Sequence, residues 1–147
     1  MTIAHSTIYN KTFIFEGTPK AVQSFRFTRS GRKYQPKEIG DWKNLIKLQA
    51  KEQITSKVMP SSKALKIEVE FIFPPLKSWS KKRLEELKNG ATFFKTTKPD
   101  LTDNLMKGFI DALSGILWDC DQQICVVQSV KKYGLKAMTT LKITELD

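Results

Sequence analysis

"ALKIEVEFIFPP", residues 64–75, alternates with little interruption: Leu65, Ile67, Val69, Phe71 and Phe73 fall on one side, Lys66, Glu68 and Glu70 on the other. Successive side chains of a strand point to opposite faces, so this stretch reads as a half-buried strand. Working outward, Pro36 to Met59 carries Ile39, Trp42, Leu45, Ile46, Ala50, Ile54 and Val58 mostly at spacings of three and four. That pattern predicts an amphipathic helix of about six turns, with Pro36 and Pro60 as its boundary signals. On the other side of the strand, "SKKRLEELKNG" (80–90) has a serine cap and a glycine stop around Leu84 and Leu87, a short helix. Asp103 to Leu113 reads as a third helix, with Leu105, Phe109, Ala112 and Leu113 on one face and Asp103 and Lys107 on the opposite one.

Both ends of the chain add strands. "IYNKTFIF" (8–15) is aromatic and β-branched. "QICVVQSVKKYG" (123–134) and "LKAMTTLKITEL" (135–146) meet near Tyr133 and Gly134, which predicts an antiparallel hairpin. The order strand, basic loop, long helix, strand, short helix, acidic helix, hairpin implies an α+β fold: a mixed or antiparallel sheet packed with one long and two shorter helices, in a single domain over 1–147.

The 147 residues, 40% of them apolar, suit one sizeable core and not two. Lys and Arg number 25 against 15 Asp and Glu, a net charge of +10 that points to a polyanionic partner, most often nucleic acid. No stretch approaches the roughly 18 apolar residues of a spanning helix, and the N-terminus lacks a signal-peptide pattern, so the expectation is a cytoplasmic protein with no membrane partner. Cys120 and Cys125 are too few for a thiolate zinc site and are expected as thiols. With His5 the sole histidine, acid and base work falls to carboxylates, lysines and metal-bound water.

Positive charge is concentrated in two places. Residues 17–37 carry Lys20, Arg26, Arg29, Arg32, Lys33 and Lys37 with no acid, and interleave Phe25, Phe27 and Tyr34. Such a mixture suits contact with a phosphate backbone or an exposed base, and equally a solvated loop whose aromatics tuck into the core. Lys77, Lys81, Lys82 and Arg83 form the second cluster.

Within this basic chain, "KPDLTDNLMKGFIDAL" (98–113) sets Asp100, Asp103 and Asp111 around Lys107, and "WDCDQQI" (118–124) follows with Asp119 and Asp121. One reading is structural: Asp100 and Asp103 cap the helix or complement its dipole, Asp103 with Lys107 is an i,i+4 pair, and Asp119 and Asp121 belong to a turn. In the other, the carboxylates converge if the strand end approaches the helix N-terminus, and together hold a hard oxygen-seeking ion such as Mg²⁺ or Mn²⁺. Beside a basic surface, that chemistry is metal-assisted phosphodiester hydrolysis, with Lys107 placed to stabilise charge at phosphorus.

The run Lys98–Ile124 resembles the signature of the RusA-type Holliday junction resolvases: Pro-Asp-x-Asp-Asn-Leu-x-Lys, then Asp-Ala-Leu, then Asp-Asp-x-Gln and an aliphatic residue. Weaker similarity extends to "SFRFTRSGRKYQP" and to the closing "LKITELD". The resemblance implies a Mg²⁺-dependent endodeoxyribonuclease, active as a homodimer on branched DNA in recombination and repair. It carries the essential aspartates to Asp100, Asp103 and Asp121 and the essential lysine to Lys107. The chain departs from the pattern twice. One extra residue separates Asp100 from Asp103, and Cys120 replaces the first acid of the Asp-Asp pair, with Asp119 one position earlier. On a strand Asp119 and Asp121 share a face, which makes Asp119 a further candidate ligand.

A four-way junction has approximate two-fold symmetry, matched by a two-fold dimer with one site per subunit. Lys20, Arg26, Arg29, Arg32, Lys33, Lys81, Lys82 and Arg83 are the candidates for DNA contact. Two alternatives stand beside this reading: a branched-DNA-binding module that has lost its metal site through "WDCDQQ", and a metal nuclease acting on flaps or RNA.

Overall fold

A computed structural model describes residues 10–21, 26–27, 29–31, 33–34, 37–55 and 59–146. In chain order the elements are β1 (Asn10–Glu16), β2 (Arg26–Phe27), β3 (Lys33–Tyr34), α1 (Lys37–Gln53), β4 (Ala64–Phe73), α2 (Lys81–Lys88), α3 (Lys107–Leu113), β5 (Ile124–Tyr133) and β6 (Met138–Leu146). A π-helical stretch, Leu101–Met106, leads into α3, and a 3₁₀ turn, Asp121–Gln123, leads into β5. Ile8 and Tyr9, the first residues of the expected N-terminal strand, lie outside the described residues.

The main sheet has the order β1-β6-β4-β5. β4 runs antiparallel to β6 and parallel to β5, so the sheet is mixed. The alternation of β4 is realised: Leu65, Ile67, Val69, Phe71 and Phe73 are buried and the residues between them are not. They pack with Phe13, Phe15, Leu141 and Ile143 of β1 and β6 against Trp42, Ile46 and Ala50 of α1 and Leu105, Phe109, Ala112 and Leu113 of the third helical segment. Phe109 lies at the centre, its ring edge-on to Phe15 at 5.3 Å and to Phe71 at 5.7 Å. The fold is therefore the expected α+β arrangement of a mixed sheet with three helices.

Three expectations are corrected. β5 and β6 do not form a hairpin, because β4 lies between them and pairs with both. Gly134, which looked like a hairpin turn, serves a close approach instead: a Cβ there would meet Ile72 Cγ2 of β4 at 2.4 Å. The long helix stops at Gln53, well short of Met59. Its end is fixed by Lys11, whose ammonium donates to the Gln53 carbonyl. The side chain of Gln53 donates to Ile14 O at 2.7 Å and accepts from Ile14 N at 2.8 Å, while Gln49 accepts from Glu16 N at 2.8 Å. The helix end thus serves as a cover for the outer edge of β1. Finally, part of the basic loop is a two-stranded ribbon, with Arg26 paired to Tyr34 and Phe27 to Lys33.

Candidate functional site

The approach to Asp100 is held from β5. Lys131 Nζ donates to Thr97 O and to Pro99 O, both at 2.7 Å, gripping the chain on either side of Lys98. Just upstream, Lys95 N donates to Lys131 O at 3.1 Å and Lys95 Nζ to Thr97 Oγ1 at 2.9 Å. Asp100 then opens the helical segment, and its carbonyl accepts from Leu105 N, five residues on, at 3.0 Å. That i→i+5 bond marks the π geometry, which recurs at functional sites in helices. The extra residue between Asp100 and Asp103 falls inside this wide turn. Leu105 and Phe109 keep their buried positions while Asp103 and Lys107 stay exposed, as the helical pattern predicts. The helix begins two residues earlier than expected and is α only from Lys107.

Ion pairing does not tie Asp103 to Lys107: among the described residues the ion pairs are Lys132–Glu70 and Lys136–Glu16. A cleft of about 420 Å³ beside Asp100 is lined by Ala21, Lys98, Pro99, Asp100 and Asn104.

The second acidic segment is built differently. Asp119, Cys120 and Asp121 are exposed, but they lie in a turn and not on the strand, so strand alternation does not set their directions. Trp118, fully buried, donates its indole N–H to Asp121 Oδ1 at 2.9 Å. Gln123 locks the turn from the other side. Its Oε1 accepts from Cys120 N at 2.7 Å, and its Nε2 donates to Ser61 O at 2.7 Å and Lys63 O at 2.8 Å. Ser61 joins the rest, accepting from Asp119 N at 3.1 Å and donating its hydroxyl to the buried carboxylate of Glu145 at 2.9 Å. Ser61, Lys131 and Glu145 were invisible to sequence reasoning; Gln123 carried a signal, since it belongs to the quoted "WDCDQQI".

The two segments stand at opposite ends of α3, because the chain from β4 must cross back before it can enter β5 in parallel. Asp100 lies near the Lys131 end of β5, whereas Asp121 precedes Ile124 at its start; seven residues of strand span about 23 Å. Among the described residues no three acidic or thiol groups gather closely enough to hold a metal ion. The Asp100, Asp103 and Asp121 of one chain therefore do not by themselves fit a metal ion.

Among the basic residues, Lys20, Arg29, Lys81 and Lys82 are exposed. Arg26 and Lys33 lie on the β2–β3 ribbon, and Arg32 is outside the described residues. Arg83 is exposed yet engaged: its guanidinium lies 4.1 Å from the centre of the Trp79 ring and 4.8 Å from that of Phe93. Cys120 and Cys125 are both exposed and free. No helix among the described residues is long and apolar enough to cross a membrane.

A search of curated proteins finds no match. The family model described as "Endodeoxyribonuclease RusA" matches residues 16–144, from the last residue of β1 almost to the end of β6, and so takes in the whole sheet but its first edge, both acidic segments and both basic clusters. The chain belongs to the RusA endodeoxyribonuclease family.

Proposed function

We propose that the protein is a structure-selective endodeoxyribonuclease that resolves four-way DNA junctions by paired symmetric nicks, in recombination and repair. The observation that carries the reading is the family match over residues 16–144, which contains the whole Asp100–Lys107 helix face and the Asp119–Asp121 turn. Asp103 and Lys107 stand exposed on a helix whose opposite side is locked into the core, so their backbone positions are rigid. Lys107 brings a fixed positive charge to where a scissile phosphate would lie, and Lys20, Arg29, Lys81 and Lys82 supply exposed charge for the remaining backbone contacts. Recognition mostly by phosphate placement and branch shape suits such a surface.

The reading includes a requirement for Mg²⁺, with Mn²⁺ able to substitute, and a homodimer acting on branched DNA. Incubation of the purified protein with a synthetic four-way junction, with and without Mg²⁺, tests it. Symmetric nicks are expected from the wild type and only background cleavage from Asp103→Asn. Undiminished nicking by Asp103→Asn would refute the assignment, and competition with flap, duplex and RNA substrates separates junction selectivity from general nuclease activity.

One observation favours a second reading, a branched-DNA-binding module without cleavage: the three aspartates of one chain are not gathered. That reading requires tight junction binding, no Mg²⁺-dependent nicking and no Mn²⁺ binding.

A further inference from the structure

Residues 77–95 leave the sheet after β4 and return beside β5, carrying six basic residues against two acids, Glu85 and Glu86. The excursion adds little to the core, since α2 buries none of its residues. What fastens it is a set of rings near its two ends. Trp79 meets Phe93 at 5.2 Å and Tyr133 of β5 at 4.9 Å, edge-on in both cases. Arg83 lies over two of these rings, its guanidinium 4.1 Å from the centre of Trp79 and 4.8 Å from that of Phe93. Ser80 Oγ accepts from Arg83 N at 3.2 Å, which fixes the backbone as well. Among the described residues no carboxylate pairs with Arg83. Stacking occupies the flat face of a guanidinium and leaves N–H donors at its edge, so Arg83 is a cation already ordered for an oxyanion.

Phe94 is turned the other way. Lys95 N donates to Lys131 O at 3.1 Å and Tyr133 N to Phe93 O at 2.9 Å, so Phe94 stands opposite Lys132 between two backbone bonds. Facing residues share a side of the sheet. Lys132 reaches Glu70 at 3.3 Å, on the side of β4 away from the buried Val69 and Phe71. Phe94 thus projects from a held backbone and away from the core. It is 65% exposed, the most open of the large apolar side chains among the described residues, and the exposed ones beside it are aliphatic. A lone exposed apolar residue needs no explanation. An open ring in a basic excursion, one residue from a ring that stacks on a guanidinium, is a more particular combination: charge follows a nucleic-acid backbone while a ring takes a base.

We infer that residues 77–95 form an arm that recognises the branch point, with Arg83 on a backbone phosphate and Phe94 stacked on a base whose face the branch leaves open. The inference rests on the nuclease reading for the choice of branched DNA. In continuous duplex every base is already stacked and exposing one costs energy, whereas at a branch or in a single strand that cost is least. Phe94 therefore adds affinity for branched DNA and little for duplex, while Arg83 serves both.

Equilibrium binding of the full chain to a synthetic four-way junction and to duplex, without divalent metal, tests the arm apart from cleavage. Phe94→Leu keeps an apolar side chain and removes the ring. Junction affinity should fall about fivefold or more and duplex affinity less than about twofold, and Phe94→Trp should retain both. The fluorescence that Phe94→Trp adds to the wild-type signal should be quenched by oligothymidylate and by the junction, but not by duplex. Arg83→Gln should lower the slope of log Kd against log salt by about one on either DNA. Equal losses on junction and duplex in Phe94→Leu, no loss at all, or a changed sedimenting mass, which would assign the ring to a protein contact, would overturn the stacking. An unaltered salt slope in Arg83→Gln would overturn the phosphate contact. A wild type that nicks while Phe94→Leu binds normally refutes the arm alone, and one that prefers the junction through Phe94 without nicking refutes the nuclease reading alone. A wild type that binds neither DNA refutes both.

Discussion

Lys131→Met isolates the grip that β5 exerts on the approach to Asp100. Methionine keeps a long unbranched stem and removes the ammonium, so packing is conserved while both bonds, to Thr97 O and Pro99 O at 2.7 Å, are lost. The first bond is exposed and the second partly buried. A hydrogen bond to a charged group contributes about 1.5–3 kcal/mol where water is excluded, and water replaces most of an exposed one. The expected loss is therefore about 2 kcal/mol, close to the value of the partly buried bond alone. With a urea slope of about 2 kcal/mol per M, that moves the unfolding midpoint down by about 1 M. Urea unfolding followed by tryptophan fluorescence measures it, and amide exchange over residues 95–100 localises it. A midpoint shift below about 0.3 M with unaltered exchange in this segment would refute the reasoning, since it would mean that the carbonyls are held equally well without the ammonium.

Further consequences follow from the packing and the surface. Gln123→Ala removes three bonds, to Cys120 N, Ser61 O and Lys63 O, and should destabilise by about 1–3 kcal/mol in thermal or urea unfolding while lowering junction nicking through a loosened Asp121. Gly134→Ala drives a methyl to 2.4 Å from Ile72 Cγ2 and should cost about 1–3 kcal/mol by overpacking, a loss that Ile72→Val in the same chain should partly restore. Junction affinity should fall steeply with salt, and Lys81→Ala or Lys82→Ala should each reduce the slope of log Kd against log salt by about one if that residue contacts a phosphate.

The fold was legible where one periodicity decided it. β4 could be read because every second residue is apolar, and the Leu105–Leu113 face because its spacing allows only one buried side. The pairing of β5 was not legible. Tyr133-Gly134 between two strand-like runs is a local hairpin signal, and nothing local records that β4 inserts between them. The asymmetry in β5 was present as a hint: Gln128, Ser129, Lys131 and Lys132 dilute its apolar pattern, as suits an edge, whereas β6 buries Thr139, Leu141, Ile143 and Glu145 between two neighbours. The end of α1 was hidden for a related reason. Its apolar spacing continues to Val58, but the tertiary partners that stop it, Lys11 and the backbone of Ile14, lie about forty residues before its end.

The site divides along the same line. The exposed face shared by Asp103 and Lys107 followed from helical spacing, while the role proposed for them comes from the family resemblance. Whether Asp121 meets Asp100 depends on the direction of β5, which the spacing of the acids does not contain. Had β5 run antiparallel to β4, its start would lie at the end of the sheet where β4 finishes, and the acid before it would stand near Asp100. Because β5 runs parallel, the helix between the two strands must return along the sheet, and α3 alone carries the chain about 10 Å away from Asp100 before the turn that bears Asp121 is reached. A parallel crossover thus keeps the two acidic segments apart in one chain.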